Sequence, residues 1–358
     1  MGTEQYRLLA QRLDSLPNGY PPTDDGVELR LLAKLFKPEE AELASQLRLT
    51  LETPERIAER LGRNGSETKQ MLRSMAKRGL IKAGRTEDGL GYGLLPFVVG
   101  IYEYQAGNLD KEMAQLFENY FMKAFGQGVS VRPHFHRVLP VNETIRMDME
   151  VQPYESAAGI IAESKAWGVT ECICRKQKAL IGEPCDHPLE VCMIMSKVPG
   201  VFDKNPQIRA LSEDEALKTL QTAAEAGLVH TVSNNQKGNW YVCNCCTCSC
   251  GILRGISDFG VADVVARSSF VNRVDGDLCM ACEICVDYCQ FDALSHDEVA
   301  QVDEFRCVGC GVCVVACPEG ALSLVLRPTS EISPPPITED DWLEERALSR
   351  GLNLKDVI

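Results

Sequence analysis

Apolar residues recur at helical spacing through much of the first third of the chain, separated by glycine, proline and short polar residues. Residues 27–36, 53–62 and 66–79 each show this pattern and are predicted to be helices. Threonine-proline and serine-glutamate pairs begin the second and third of these segments, and a glycine ends each. A strand at residues 80–82 and a glycine-rich hairpin at residues 86–93 are predicted to follow.

Helix, short turn, helix, strand and hairpin is the element order of a winged helix-turn-helix. Residues 27–95 therefore resemble the MarR-like and related winged-helix domains. The resemblance implies that the helix over residues 67–78 is the recognition helix, with five side chains pointing outward: Lys69, Gln70, Arg73, Lys77 and Arg78. Residues 53–88 hold nine Lys/Arg against five Asp/Glu. Because this basic excess is small, a protein-binding platform is favoured and DNA binding is the alternative.

The helical pattern continues in the middle of the chain. Residues 109–125 carry a methionine and phenylalanine stripe, and residues 155–167 are predicted to be a helix that Gly168 closes. The helix over residues 212–226 is the best marked of all, because Ser212 and Glu215 have the spacing of a capping box. Extended segments are predicted to lead into two cysteine-rich stretches at residues 172–175 and 243–250.

The composition adds an unusual feature to an otherwise ordinary globular pattern. The 358 residues include 17 cysteines, and the net charge is −14. No apolar run is long enough to cross a bilayer, and the polar N-terminus does not resemble a signal peptide, so a cytoplasmic location is expected. In a reducing compartment, so many cysteines indicate metal ligands before disulfides.

Eight of the cysteines form an internal repeat with the spacing C-x2-C-x2-C-x3-C, offset by 28 residues. The first run is Cys279, Cys282, Cys285 and Cys289, and the second is Cys307, Cys310, Cys313 and Cys317. Residues 274–326 therefore resemble a bacterial-type two-[4Fe-4S] ferredoxin domain. Paired zinc sites or a disulfide knot are the alternative, but zinc prefers two separated C-x2-C pairs.

The resemblance implies that the fourth cysteine of each run ligates the cluster of the other run. One cluster would then use Cys279, Cys282, Cys285 and Cys317, and the other would use Cys307, Cys310, Cys313 and Cys289. Two residues depart from the usual pattern of the family. Gln290 follows Cys289 where proline is usual, and Glu283 occupies a position where glycine is common. The cluster held by the first run is therefore expected to have an altered solvent access or reduction potential.

The other nine cysteines lie in the middle of the chain: Cys172, Cys174, Cys185, Cys192, Cys243, Cys245, Cys246, Cys248 and Cys250. If residues 243–250 are extended, Cys243 and Cys245 face one side, and Cys246, Cys248 and Cys250 face the other. Because buried thiolates need a neutralising cation, a metal centre is expected. One or two further [4Fe-4S] clusters, a structural zinc ion and a redox-active thiol relay are the three interpretations, and the spacing does not assign cysteines to sites.

These patterns predict an α+β multidomain chain. The expected parts are a winged-helix-like domain over residues 1–100, a cysteine-rich α/β domain over 101–268, the two-[4Fe-4S] domain over 269–327, and a proline-rich linker with a docking helix over 328–358. The middle part also resembles, loosely, uncharacterised multidomain ferredoxin-like proteins, from which no function carries over.

The predicted function is single-electron transfer, by an iron–sulfur subunit of a larger cytoplasmic redox complex with protein redox partners. No Rossmann fingerprint, P-loop or nucleophile motif indicates a substrate site. One alternative is a redox-sensing winged-helix transcription regulator, which predicts a dimer and salt-dependent DNA binding. Another is a reductase whose substrate site lies at the middle cysteines.

Overall fold

The computed structural model describes residues 3–141, 144 and 152–358. Within them the chain folds into two compact units. The first unit runs to Gly128 and takes in Leu180–Gly182 and Leu343–Ile358, and the second comprises Val129–Ala179 and Glu183–Trp342. No helix in the described ranges is both long enough and apolar enough to cross a membrane.

The first unit is mainly helical. Its helices are α1 (Thr3–Asp14), α2 (Val27–Leu35), α3 (Pro38–Ala44), α4 (Pro54–Leu61), α5 (Gly65–Lys77) and α6 (Lys111–Lys123). Its strands β1 (Ile81–Thr86) and β2 (Gly89–Leu94) form an antiparallel hairpin. The predicted helix, helix, hairpin order is therefore present, whereas the winged-helix assignment itself stays a prediction.

Local signals explain where the paired helices α4 and α5 begin. Thr53 accepts a hydrogen bond from the backbone N–H of Arg56, and Asn64 caps α5 in the same way, which satisfies donors that have no partner inside a helix. Leu72 and Met75 of α5 are buried. The opposite face of α5 leaves Lys69 and Arg73 exposed.

The second unit contains one large sheet and two small ones. Its helices are α7 (Ala157–Ala162), α8 (Ile173–Leu180), α9 (Glu213–Glu225), α10 (Arg254–Phe259), α11 (Ile284–Tyr288) and α12 (Val312–Ala316). Its strands are β3 (His136–Val138), β4 (Ala166–Glu171), β5 (Glu190–Ser196), β6 (Arg209–Leu211), β7 (Val229–Ser233), β8 (Tyr241–Cys245), β9 (Phe270–Val274), β10 (Leu294–His296), β11 (Ala300–Val302) and β12 (Leu322–Leu326). The large sheet has the strand order β3-β7-β8-β5-β4-β6, with every neighbouring pair antiparallel.

Helices α7 and α9 cover the large sheet. Ile161 and Ala216 from these helices pack with Val169, Met193 and Val242 from the strands in one apolar core. The predicted capping box is confirmed at the start of α9, where Ser212 and Glu215 satisfy each other's backbone N–H groups. This core fixes β5 and β8, two of the strands that carry cysteines.

One predicted helix was wrong. Residues 155–167 do not form a single helix, because α7 ends at Ala162 and β4 begins at Ala166. Gly168 does not close a helix but lies inside β4, where a Cβ atom would come within 2.3 Å of the Ile208 side chain. The glycine is therefore needed for close packing rather than for a helix end.

The C-terminal segment contacts its own chain. Helix α13 (Glu339–Ser349) begins in the second unit, where the Trp342 indole donates a 2.8 Å hydrogen bond to the carbonyl oxygen of His134. In the proline-rich stretch before it, the carbonyl oxygen of Pro335 accepts a 2.8 Å hydrogen bond from the Gln236 side chain. The predicted linker is thus held against the turn between β7 and β8.

Candidate metal centres

The large sheet brings the two middle cysteine stretches together. Cys172 lies between β4 and α8, Cys192 lies on β5, and Cys243 and Cys245 lie on β8. Because β5 pairs with both β4 and β8, cysteines from distant parts of the sequence meet near one end of these three strands. The extended segment predicted to lead into residues 172–175 is strand β4, and α8 begins at Ile173, so that Cys172 precedes the helix and Cys174 lies in its first turn.

Six thiols, which we name the six-thiol group, form a closed ring in which each thiol affects the pKa of its two neighbours. Around the ring the order is Cys172, Cys174, Cys250, Cys245, Cys243, Cys192 and back to Cys172. The predicted alternation of residues 243–250 was wrong for Cys250, which lies with Cys243 and Cys245. The reason is that β8 ends at Cys245 and the chain then turns, so the alternation of side chains stops there.

The ring favours negative charge at particular sulfur atoms. Hydrogen bonds from Cys174 and Cys192 hold the pKa of Cys172 well below its ordinary value. Hydrogen bonds from Cys243 and Cys250 lower the pKa of Cys245 to about 6. Neighbouring thiols and burial raise the pKa values of the other four thiols of the group. Cysteine binds metal as the thiolate, so the whole group would ionise only beside a metal ion or cluster.

The remaining three middle cysteines join a histidine in a second cluster, the cysteine–histidine group. It consists of Cys185, His187, Cys246 and Cys248, whose ligand atoms all lie within 4.8 Å of one another. Nδ1 of His187 lies 3.7 Å from Sγ of Cys248. A hydrogen bond from Cys248 and a second from His187 hold the pKa of Cys246 at about 4, despite its burial.

Arg175 lies close to both groups. Its guanidinium donates two 3.1 Å hydrogen bonds to the carbonyl oxygen of Asn244 and lies 3.6 Å from Sγ of Cys246. Burial alone would lower the pKa of Arg175, but the charges of Cys172, Cys246 and Cys192 raise it overall. A buried arginine held in this way offsets part of the negative charge of the thiolates.

The eight C-terminal cysteines lie on a structural repeat as well as a sequence repeat. Helix α12 begins at Val312, 28 residues after α11 begins at Ile284. Strand β12 begins at Leu322, 28 residues after β10 begins at Leu294. The strands form two separate antiparallel pairs, β9 with β12 and β10 with β11.

The structure brings these cysteines together in two sets of four. Cys279, Cys282, Cys285 and Cys317 line one cavity. In the second set, the charges of Cys289 and Cys307 act on Cys310, whose pKa burial raises to about 12. Burial also raises the pKa of Cys313, again near Cys289 and Cys307. Buried thiols of this kind ionise only beside a strong positive charge, such as the iron of a cluster.

One hydrogen bond distinguishes the two sets. Nδ2 of Asn272, on β9, donates to Sγ of Cys313 at 3.0 Å, and Asn272 is almost fully buried. The position 28 residues later is Ala300, which lines the cavity of the other set and has no side-chain donor. The two halves of the repeat therefore differ in a hydrogen bond to a ligand sulfur, an interaction that affects the reduction potential of a cluster.

The loops around the two sets also differ. Gly309 and Gly311 have φ angles of 70° and 78°, and a Cβ atom on Gly309 would come within 2.1 Å of the carbonyl oxygen of Phe270. The equivalent residues of the first run are Ala281 and Glu283, with φ angles of 55° and 63°. Left-handed conformations are costly for residues with a Cβ atom, so the first loop is the more strained.

Residues 278–326 match the family model of the 4Fe-4S dicluster domain. This part of the chain is a ferredoxin-type domain that binds two [4Fe-4S] clusters. The dicluster domain and the many other cysteines support a role in iron–sulfur electron transfer. No curated protein matches the chain.

A side chain that departs from the usual ferredoxin pattern joins the dicluster domain to the middle cysteines. Gln290, next to Cys289, accepts a 2.6 Å hydrogen bond from the backbone N–H of Thr247 through Oε1. Its Nε2 donates to the carbonyl oxygen of Gly227. A proline at this position would make neither bond, so Gln290 has a specific role in this chain.

His187 is the functional candidate that the sequence analysis missed. A single histidine two residues from a cysteine is a weak signal when its partners lie about sixty residues away. The usable signal was the pairing of a Cys-x-His with a Cys-x-Cys, at residues 185–187 and 246–248.

Proposed function

We propose that this chain is the electron-transfer subunit of a larger cytoplasmic redox complex. The observation that carries the proposal is the presence, in one unit, of the dicluster domain and a further group of six thiols, three of which are buried. Iron–sulfur clusters, when bound, supply single-electron transfer without making or breaking substrate bonds. The chain's own residues position the sulfur ligands, exclude water and set the local charge.

We assign the ligands of the dicluster domain in crossed sets. Cys279, Cys282 and Cys285 would bind one cluster with Cys317, and Cys307, Cys310 and Cys313 would bind the other with Cys289. The cavity shared by Cys317 and the first run supports the first set. The proximity of Cys289 to Cys307 and Cys310 supports the second.

The six-thiol group is proposed as the site of a further iron–sulfur centre. Its six sulfur atoms exceed the four that one cubane cluster requires, and Cys172, Cys245 and Cys250 are buried. The charge of Arg175 acts on Cys172 and Cys192 and favours their thiolates. Since several buried thiolates need more positive charge than one arginine offers, bound iron suits the group.

The exposed side of the first cysteine set suits a protein partner. Cys282 is exposed, and beside it Met280 is 72% exposed. Residues 279–358 hold 15 Asp/Glu against five Lys/Arg. An apolar patch near a redox centre, within an acidic surround, fits a partner with a basic docking surface, because complementary charge raises the rate of encounter.

The first unit is proposed to have a winged-helix fold and to bind a protein. Redox-dependent DNA binding is the second candidate, because Lys69, Arg73 and Lys77 lie along α5 and all three are exposed. Lys69, however, already pairs with Glu55. Mobility-shift assays with random duplex DNA, at several salt concentrations and in both redox states, would distinguish the two. Tight binding that depends on the redox state would favour the regulator over the electron carrier.

The direct test is to measure iron, acid-labile sulfide and zinc per chain on protein purified without oxygen. We expect about 12 iron atoms or more, because the dicluster domain accounts for about eight. About eight iron would leave the six-thiol group without a cluster and would favour a thiol relay there. Fewer than about four iron would contradict the proposed function altogether.

A pair of variants tests whether Cys317 is a cluster ligand, as the crossed assignment requires. Cys317→Ser should remove one cluster, so that iron falls by about four per chain and one of the two reduction midpoints disappears. Ser323→Ala, which changes a hydroxyl on the neighbouring strand β12, is the matched control and should keep both clusters. If Cys317→Ser retained all its iron, the crossed assignment would be wrong.

A further inference from the structure

The cysteine–histidine group offers four donor atoms of the kind that bind a single soft or borderline metal ion. Cys185 and His187 lie in the connection that precedes β5, and Cys246 and Cys248 lie in the turn that follows β8. All four donor atoms lie within 4.8 Å of one another. The group contains three thiols and one imidazole and no carboxylate.

The spacing between ligand atoms distinguishes a site for a single ion from a site for a cluster. Around a tetrahedral zinc ion with Zn–S bonds of about 2.3 Å, neighbouring sulfur ligands lie about 3.8 Å apart. The sulfur ligands of a cubane lie farther apart, at roughly 6 Å, because each binds a different iron atom. The observed limit of 4.8 Å excludes the wider spacing for every pair in the group.

We propose that Cys185, His187, Cys246 and Cys248 bind one tetrahedral divalent ion, with zinc the ion that the ligand chemistry selects. Four protein ligands close the coordination sphere, which is the pattern of structural rather than catalytic zinc sites. This assignment divides the nine middle cysteines into two sites and adds a ligand, His187, that is not a cysteine. It does not depend on the proposed electron transfer.

Polar side chains next to two of the sulfur atoms support the group as a metal site. The Ser249 hydroxyl lies 3.5 Å from Sγ of Cys185, and the Arg175 guanidinium lies 3.6 Å from Sγ of Cys246. Hydrogen bonds of this kind orient thiolate ligands and reduce their excess charge. With three thiolates and one Zn²⁺, the site would carry a net charge of −1, which Arg175 offsets.

The position of the site gives it a mechanical role. Thr247 lies between two of its ligands, and the Thr247 backbone N–H donates to Gln290 of the dicluster domain. A bound ion fixes the turn over residues 246–248 to the connection before β5. It thereby holds the hydrogen-bonded contact next to Cys289 in place.

Metal analysis of the full chain, purified without oxygen, tests the proposal. We expect about one zinc per chain, and its loss in Cys248→Ser and in His187→Ala while iron stays at the wild-type level. Asp186→Ala is the matched control, because it removes an exposed side chain that lies between two of the ligands in sequence and is not in the group, and it should leave the zinc unchanged. A wild-type chain without zinc, or zinc that persists in both ligand variants, would overturn the proposal.

A second measurement guards against variants that merely misfold. Zinc is replaced by Co²⁺, whose absorption bands report tetrahedral coordination and the number of thiolate ligands. His187→Cys should keep the tetrahedral bands, shift them toward those of a four-thiolate site and retain the wild-type iron content. His187→Ala should bind Co²⁺ at least about tenfold more weakly. Loss of iron rather than of Co²⁺ in these variants would show that the group binds a cluster, and the proposal would fail.

Discussion

The hydrogen bond from Asn272 to Cys313 should raise the reduction potential of one cluster of the dicluster domain. The amide N–H lies 3.0 Å from the sulfur atom, in a position that is almost fully buried. Reduction adds negative charge to a cluster and its ligands, so a donor aimed at a ligand sulfur stabilises the reduced state more than the oxidised state. Replacing the donor should therefore lower that potential.

The Asn272→Leu variant allows the size of the effect to be worked out. A hydrogen bond to a charged group contributes about 1.5–3 kcal/mol. If the two redox states differ by about 1 kcal/mol in this bond, the one-electron potential falls by about 40 mV, since a tenfold change in equilibrium constant corresponds to about 59 mV. Oδ1 of Asn272 has no hydrogen-bond partner among the described residues, so an apolar side chain of similar shape leaves no new unpaired group.

Redox titration monitored by electron paramagnetic resonance gives the midpoint reduction potentials of the two clusters. Asn272→Leu should shift one midpoint downward and leave the other within experimental scatter. The matched control is Ala300→Val, which changes the equivalent position of the repeat without adding or removing a donor. Equal shifts of both midpoints, or an upward shift, would refute the reasoning.

Three further predictions concern stability. Ala281→Gly should raise the free energy of unfolding by up to about 1 kcal/mol, because it relieves an alanine in a left-handed conformation. The reverse substitution at the equivalent position of the repeat, Gly309→Ala, should prevent a stable domain, because its Cβ atom would collide with the carbonyl oxygen of Phe270. Denaturant titrations of both variants measure these effects. Ser212→Ala should cost about 1 kcal/mol by removing the cap of α9, and a urea midpoint no lower than that of wild type would contradict this. Burial lowers the pKa of His136 to about 4. As the pH falls from about 6.5 to about 4, this histidine becomes protonated in the unfolded chain but stays neutral in the folded chain, so the free energy of unfolding should fall by up to about 3 kcal/mol. His136→Leu should remove this contribution from the pH profile of urea unfolding and leave the similar contribution of His230, whose pKa burial also lowers to about 4.

The sequence was most informative where one short-range signal determines the structure. The capping box of α9, the caps of α4 and α5 and the repeat that underlies α11 and α12 could all be predicted, because each depends on neighbouring residues. Gly168 shows the limit of this reasoning. A helix-ending glycine and a glycine that admits the side chain of Ile208 are identical in sequence, and only the tertiary packing separates them.

The candidate metal sites show the same limit. The cysteine spacing of the dicluster domain was sufficient because its ligands come from two short runs. The division of the middle cysteines could not be predicted, because it depends on which strands pair and on where β8 ends. Cys245 and Cys246 are adjacent in sequence, yet one joins the six-thiol group and the other joins His187.

The contact made by Gln290 has a consequence for the evolution and engineering of this chain. Ferredoxin-type segments of about fifty residues are attractive as transferable cassettes, because their ligands are local. Here, excising the segment would leave the N–H of Thr247 and the carbonyl of Gly227 without their partner, and grafting in a segment with proline after the fourth cysteine would do the same. The segment and its host have therefore become interdependent, so that exchange between proteins would require at least one compensating substitution on each side of the junction.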